Sequence, residues 1–223
     1  MSSKRRTETK RGNLTPIIVG SVVAIIIIFF IAVFALQPSA EKNFFGGEIN
    51  VEGDSLPGLS LDFNRDCVLF ENFNYCQQLE PAANFDAPII SGTDINGNQI
   101  STDSNDPRII LFLAHWCPHC QRELPQVQDI IDTIGVPEGI EIIAIATSID
   151  RGRDNYPPQE WLFREGWSET QIYDTDRDIA SAYGLTSFPY WVFLDKDLNV
   201  IARRAGNLPE GYIGPLLIEL ANQ

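Results

Sequence analysis

An α/β fold, with a central mixed β-sheet flanked by helices and preceded by an N-terminal transmembrane helix, is predicted by three observations. Ile109–Leu113 and Ile140–Thr147 are apolar runs, the second broken only by Glu141, with the length and β-branched content of buried central strands. Stretches of helical periodicity alternate with such runs, and that order builds a sheet covered on both faces. Ahead of all this, Ile17–Leu36 carries no charge and follows a basic stretch of Lys4, Arg5, Arg6, Lys10 and Arg11.

Residues 17–36 have the length of a membrane anchor, because at about 1.5 Å per residue they span about 30 Å, the thickness of a hydrocarbon core. A cleaved signal peptide is the alternative, but Ala35–Ala40 lacks a clear small-x-small cleavage site and no cysteine is present there to accept a lipid. The basic segment 1–16 is expected in the cytoplasm and the rest of the chain outside it. Residues 37–84, with Gly46-Gly47 and Pro57-Gly58, are expected as a stalk and a small cap, and residues 85–223 as the α/β domain.

Within that domain, Pro88–Ile90 and Gln99-Ile100 flank Asn96-Gly97 and predict a hairpin. Gln121–Ile134 predicts a helix with Leu124, Val127, Ile131 and Ile134 on one face and a bend near Pro125. Helices follow over Pro158–Glu165 and Thr175–Tyr183, the latter capped by Thr175 or Asp174. Tyr190–Leu194 and Asn199–Arg203 predict strands joined through Asp195–Leu198, and Pro209–Ala221 a closing helix.

The net charge of −14 makes nucleic acid an unfit partner. The acidity is a solubility feature of an exposed domain that would also bias it toward basic partners. Four cysteines are present. Outside the cytoplasm an even count implies pairs, so Cys67 and Cys76 are expected to form a structural disulfide worth about 2–3 kcal/mol. A second redox relay is the alternative for them.

The most specific motif is Trp116-Cys117-Pro118-His119-Cys120, placed where a strand becomes a helix. Two cysteines at this spacing can exchange a disulfide, and the orphan amides of a helix start favour an anion on Cys117, the attacking sulfur. Pro118 suits the first turn, and the His119 imidazole would favour the Cys117 thiolate and so the dithiol state. No second Cys-x-x-Cys pair completes a zinc site, although His115 and His119 keep one open, and Gln121 stands where haem attachment needs histidine. No metal and no cofactor are expected.

These residues, with Gly184-Leu185-Thr186-Ser187-Phe188-Pro189 leading into a strand and the closing hairpin and helix, resemble the thioredoxin fold. Cys120–Pro125, the upstream hairpin and the anchor are similar more narrowly to the membrane-tethered TlpA and ResA-like thiol-disulfide oxidoreductases, while the Pro-His pair between the cysteines looks like that of the oxidant DsbA. The resemblance covers roughly residues 85–221. It implies that Cys117 forms a mixed disulfide that Cys120 resolves, and that Pro189 is cis and faces the cysteines. The Phe188 backbone is then free to pair with an extended substrate. Leu111 stands where thioredoxins commonly bury an acid, so another group must handle the Cys120 proton. Glu123, three residues on, is a candidate for that task or a solvent-facing carboxylate. Trp116 shields the disulfide or joins the core, and His115 belongs to the rim. The expected activity is disulfide exchange with cysteines of exported proteins, in the oxidising direction, with a membrane redox partner. A reductase supporting cytochrome c maturation or one specific partner is the alternative. A third possibility is a non-enzymatic module holding metal or a client through His115, Cys117 and Cys120.

Overall fold

The computed structural model describes residues 26–29, 45–59 and 80–222, and the chain divides into two compact units, residues 1–41 and 42–223. In the first, Ile26–Phe29 are helical and exposed. Among the described residues no helix is long and apolar enough to cross a membrane. The rest of the expected span over 17–36, and both Cys67 and Cys76, lie outside the described residues.

The second unit holds eight strands and four helices among its described residues. Strands β1 (Asn50–Glu52), β2 (Ile89–Thr93) and β3 (Gln99–Ser101) form an antiparallel sheet in that order. The chain then runs through β4 (Arg108–Leu113), α1 (Pro118–Ile134), β5 (Glu141–Thr147), α2 (Pro158–Arg164), β6 (Thr170–Asp174), α3 (Asp178–Ala182), β7 (Tyr190–Leu194), β8 (Val200–Ala205) and α4 (Ile213–Leu220). The five-stranded sheet has the order β6-β5-β4-β7-β8, parallel from β6 to β4 and antiparallel from β4 to β8. Every residue of β4 and β7 is buried. Successive strand residues point to opposite faces, so both faces of the sheet centre are covered. The central strand ends at Leu113, and the chain enters α1 after four residues, which sets the cysteines at the edge of the core.

Several expectations are corrected. Residues 45–59 are not a bare stalk: β1 pairs with β2, and Phe45, Leu56 and Leu59 are buried in the core, so packing extends upstream of the expected boundary at Phe85. Strand β6 was not expected, because Thr170-Gln171-Ile172-Tyr173-Asp174 shows neither a long apolar run nor clean alternation. Helix α3 starts at Asp178, with Arg177 in the left-handed region as its N-cap. Asp174 still satisfies that helix start, its carboxylate accepting from Ile179 N at 3.1 Å and Ala180 N at 3.0 Å. Ile134, last in α1, is exposed because the core ends one turn before it.

A buried ion pair ties the upstream segment to the sheet. Arg203 of β8 and Glu80 are fully buried, with Nη2 2.5 Å and Nε 3.0 Å from Glu80 Oε1. The same guanidinium donates to the carbonyls of Pro57 at 2.7 Å and Tyr183 at 3.2 Å. Its neighbour Gly184 has φ +66°, and a Cβ there would lie 2.7 Å from Pro57 O, so only glycine fits. Breaking one half of a buried pair leaves an uncompensated charge. Glu80→Ala is therefore expected to lower unfolding free energy by about 3–5 kcal/mol in urea titration, and a loss under about 1 kcal/mol, the range of an exposed pair, would contradict this role.

Candidate active site

Cys117 is the N-cap of α1, with φ −81° and ψ 120°, and Pro118 occupies the first helical turn. No side chain caps this helix and no acidic residue stands in its first turn. The amides of that first turn have no side-chain cap, and a helix start favours an anion. Cys120 is fully buried one turn on, its sulfur accepting from Ala114 N at 3.5 Å. Both thiols are free, and the Cys117 side chain hydrogen-bonds Cys120. Burial pushes the Cys120 thiol far up, and the nearby Cys117 and Glu123 charges push it further, against the one favourable amide of Ala114. The inner sulfur is held as a neutral thiol.

Leu111 is fully buried in β4, as its apolar character predicts, so the sheet supplies no acid here. Helix α1 supplies one instead. Glu123 is 2% exposed, which rules out a solvent-facing carboxylate. Its Oε1 accepts from Leu208 N at 2.7 Å and its Oε2 from Asn207 Nδ2 at 2.5 Å. The buried Trp191 Nε1, short of a full hydrogen bond to any acceptor, still turns its N–H dipole toward the carboxylate. Burial raises the Glu123 carboxyl above the usual range, while these donors and the Arg204 charge pull the other way.

His119 is exposed, and its Nδ1 lies 3.0 Å from Asn207 Oδ1 and 2.8 Å from Arg122 Nη2. This ring nitrogen therefore faces Asn207 and Arg122, and not the Cys117 sulfur as its place in the motif implied. Trp116 is half-buried, donates from Nε1 to Ser148 O at 2.8 Å, meets Phe188 edge-on at 6.0 Å and carries the Arg153 guanidinium 4.8 Å above its ring. It serves rim and core together. The Phe188-Pro189 bond is cis, Pro189 is buried and Phe188 is half-buried.

His115 is not on the rim; it is fully buried. Its Nε2 accepts from Asp150 N at 3.1 Å, so Nδ1 carries the proton and donates to Asp154 O at 2.7 Å. Burial lowers its pKa and keeps it neutral, although the Asp154 hydrogen bond and the Asp150 charge favour protonation. With both nitrogens occupied it clasps the loop between β5 and α2 and has no lone pair for a metal. Among the described residues no cluster of metal-binding side chains occurs. Asn207 was missed by sequence reading, since nothing in Gly206-Asn207-Leu208 distinguishes it from an ordinary loop; only the fold brings it over α1.

The model of the AhpC/TSA family matches residues 79–203, more than half of the chain. The chain belongs to the AhpC/TSA family. Among its curated relatives, the methylamine utilization protein MauD of Methylobacillus flagellatus is 27% identical over 128 residues, covering 56% of this chain and 58% of that protein. The thiol-disulfide oxidoreductase ResA of Bacillus subtilis is 25% identical over 130 residues, covering 57% of this chain and 70% of that protein. The match thus spans little more than half the length of MauD. A thiol:disulfide interchange protein of the thioredoxin family from Chlorobium tepidum TLS superposes with a TM-score of 0.51 at 20% identity, over 60% of this chain and 94% of that one. A thiol-disulfide oxidoreductase from Bacteroides fragilis NCTC 9343 gives 0.50 at 18% identity, over 60% and 98%. The fold of this AhpC/TSA chain is thioredoxin-like, with the mixed sheet expected of it, and the chain is a homologue of thiol-disulfide oxidoreductases.

The raised Glu123 carboxyl carries a stability signature. A folded-state value above the unfolded one favours folding below the ordinary carboxylate range, and this contribution is lost as pH rises through the folded value. Glu123→Gln escapes that loss. Its melting temperature relative to the parent is expected to climb from about pH 4 to about pH 8, by calorimetry; a difference that stays flat or falls with pH would contradict the buried, raised carboxyl.

Proposed function

We propose that this AhpC/TSA protein is an extracytoplasmic, membrane-anchored thiol-disulfide oxidoreductase that forms disulfides in exported proteins through Cys117 and Cys120. The observation that carries the reading is the inequality of the two sulfurs: Cys117 is buried but 7% exposed at an uncapped helix start, and Cys120 is fully buried within electrostatic reach of a buried carboxylate. Relatives named thiol-disulfide oxidoreductase support the reaction class, and the charge-free stretch after a basic N-terminus supports the anchor and its orientation.

In the oxidising direction the Cys117–Cys120 disulfide meets a client thiolate, which attacks the Cys117 sulfur. Cys120 leaves, takes a proton from the Glu123 carboxyl and becomes the buried thiol. A second client thiolate attacks the client sulfur of the mixed disulfide, forming the client disulfide and releasing Cys117 as thiolate. Two client thiols are oxidised and one enzyme disulfide is reduced. A membrane redox partner then removes two electrons from the Cys117 thiolate and the Cys120 thiol, and the one proton, that of Cys120, returns to Glu123. The Phe188 backbone is offered to an extended client segment, and Trp116 closes the rim above the sulfurs. Cys67 and Cys76 staple the segment between Leu59 and Glu80. A helix start that favours an anion on Cys117 supports oxidation over reduction.

In intact cells making the full chain, Cys117 is expected to react with a membrane-impermeant maleimide. Cys120→Ser is expected to accumulate mixed disulfides with exported proteins, which Cys117→Ser abolishes. Labelling only after lysis would overturn the location, and unchanged disulfide exchange by Cys117→Ser would overturn the activity.

A further inference from the structure

His115 is fully buried beside Trp116, and both of its ring nitrogens are spent on one surface turn. Nε2 accepts from Asp150 N at 3.1 Å, and Nδ1 donates to Asp154 O at 2.7 Å. Every residue from Asp150 to Asp154 is exposed. At the two ends of this segment stand Ser148, with φ +52°, and Asn155, with φ +61°. Asparagine tolerates the left-handed region, whereas a serine stays there only while its surroundings impose it. The same segment holds the Trp116 indole, through Ser148 O at 2.8 Å from Nε1 and the Arg153 guanidinium 4.8 Å above the ring. Trp116 is therefore only as fixed as the turn that His115 clasps.

We propose that His115 is a positioning residue whose neutral ring latches residues 148–155 against Trp116, and that protonation of Nε2 releases this latch and opens the rim above Cys117. An imidazolium donates from both nitrogens. Nδ1 keeps Asp154 O, but the new Nε2–H faces the Asp150 N–H, donor against donor. The carboxylate that acts on the ring is that of Asp150, and it is already engaged, by Gly152 N at 2.8 Å and by Arg153 Nε at 3.4 Å. If the Asp150 amide backs away, the turn loses its tie to the core. If the carboxylate swings to the imidazolium instead, Gly152 and Arg153 are let go. Either response frees Ser148 to leave the left-handed region, taking its carbonyl off the Trp116 indole. Burial keeps the ring neutral until the pH falls below the ordinary histidine range, so the latch is closed at neutral pH and opens in acid. The site then admits bulkier client segments as the medium acidifies.

The remaining groups around the ring set where it moves. Gln121 of α1 and Asn155 donate to the His115 carbonyl at 2.9 and 3.2 Å, bonds that the ring charge does not touch. Arg164 of α2 donates to Asn155 Oδ1 at 2.6 Å. The Asn155 end of the segment thus stays anchored while the Asp150 end is released. Tyr156 meets the imidazole edge-on at 6.1 Å. From the turn come the charges of Asp150, Arg151, Arg153 and Asp154, and from α1 the Cys117 and Cys120 sulfurs. The inference rests on the reading that Trp116 closes the rim of an exchange site, but its test reads the loop and the thiol and does not require exchange.

The test starts with the reduced full chain as it is. On acidification the nitrogen-15 resonance of His115 Nε2, the Asp150 amide and the Trp116 indole N–H are expected to move with one shared midpoint. An Asp150 amide or Trp116 indole that stays fixed while His115 titrates would overturn the proposal, as would a His115 that stays neutral down to acid unfolding. A second readout is the alkylation rate of Cys117, followed by the mass of its peptide, with a polyethylene-glycol maleimide divided by that with iodoacetamide. Both reagents attack through the same thiolate, so the ratio cancels its titration and reports access alone. It is expected to rise severalfold as pH falls through the His115 midpoint. His115→Gln offers Asp150 N an acceptor that does not titrate, and is expected to flatten the ratio. A ratio that is flat in the parent, or that rises equally in His115→Gln, would overturn the proposal. A shared midpoint in a protein inactive in exchange would leave the inference standing and the oxidoreductase reading failed; exchange without it would do the reverse.

Discussion

Two acidic groups, the Cys120 thiol and the Glu123 carboxyl, are buried within one turn of α1, and a water-poor site cannot hold both as anions. Much of the active-site arrangement follows from that constraint. Cys120 is kept as a neutral thiol when the pair is reduced, and such a thiol sits comfortably against Ala114 and the apolar end of β4. The carboxylate beside it receives two hydrogen bonds and an arginine charge from the loop after β8 and from that strand. The outer sulfur, by contrast, stands at a helix start stripped of competing caps and acids. That helix start favours an anion on Cys117 and so the reduced pair, and a stabilised dithiol is a stronger oxidant.

The scaffold serves this asymmetry by converging from three sides. The β4–α1 junction delivers the cysteines, the loop after β8 delivers Asn207 and Leu208, and the Phe188-Pro189 turn faces Trp116 across the rim. His115 locks the remaining side: as a neutral imidazole it joins Asp150 and Asp154 of the β5–α2 loop, while Trp116 holds Ser148 and supports Arg153. A rim held by hydrogen bonds from the residues adjoining the cysteines keeps the sulfurs where a client must approach from one direction. Glycine is obligatory at one point in the frame, Gly184, where the chain passes under Pro57 and against Arg203.

What was legible in the sequence was whatever local periodicity or spacing encodes. Ile109–Leu113 and Tyr190–Leu194 are apolar throughout because they are buried on both faces, and they became β4 and β7. The Cys-x-x-Cys spacing and Pro118 located the helix start. What escaped has no local signature. Thr170–Asp174 is a strand because β5 offers it a partner, and Asn50–Glu52 because β2 does. Glu123 resembles a first-turn surface acid until the loop after β8 folds over it, and Asn207 gains meaning only from contacts 84 and 88 residues away. His119 adds contacts that its place between the cysteines does not encode: its Nδ1 lies beside Arg122 and Asn207.

The measurement that bears most directly on the direction of electron flow is the reduction potential of the Cys117–Cys120 pair, obtained by equilibrating the full chain with glutathione buffers. A reduced pair stabilised at the Cys117 sulfur predicts a value toward that of a strong oxidant, near about −120 mV. A value near about −270 mV, that of thioredoxin, would show that the uncapped helix start does not favour the reduced pair, and would contradict the disulfide-forming role.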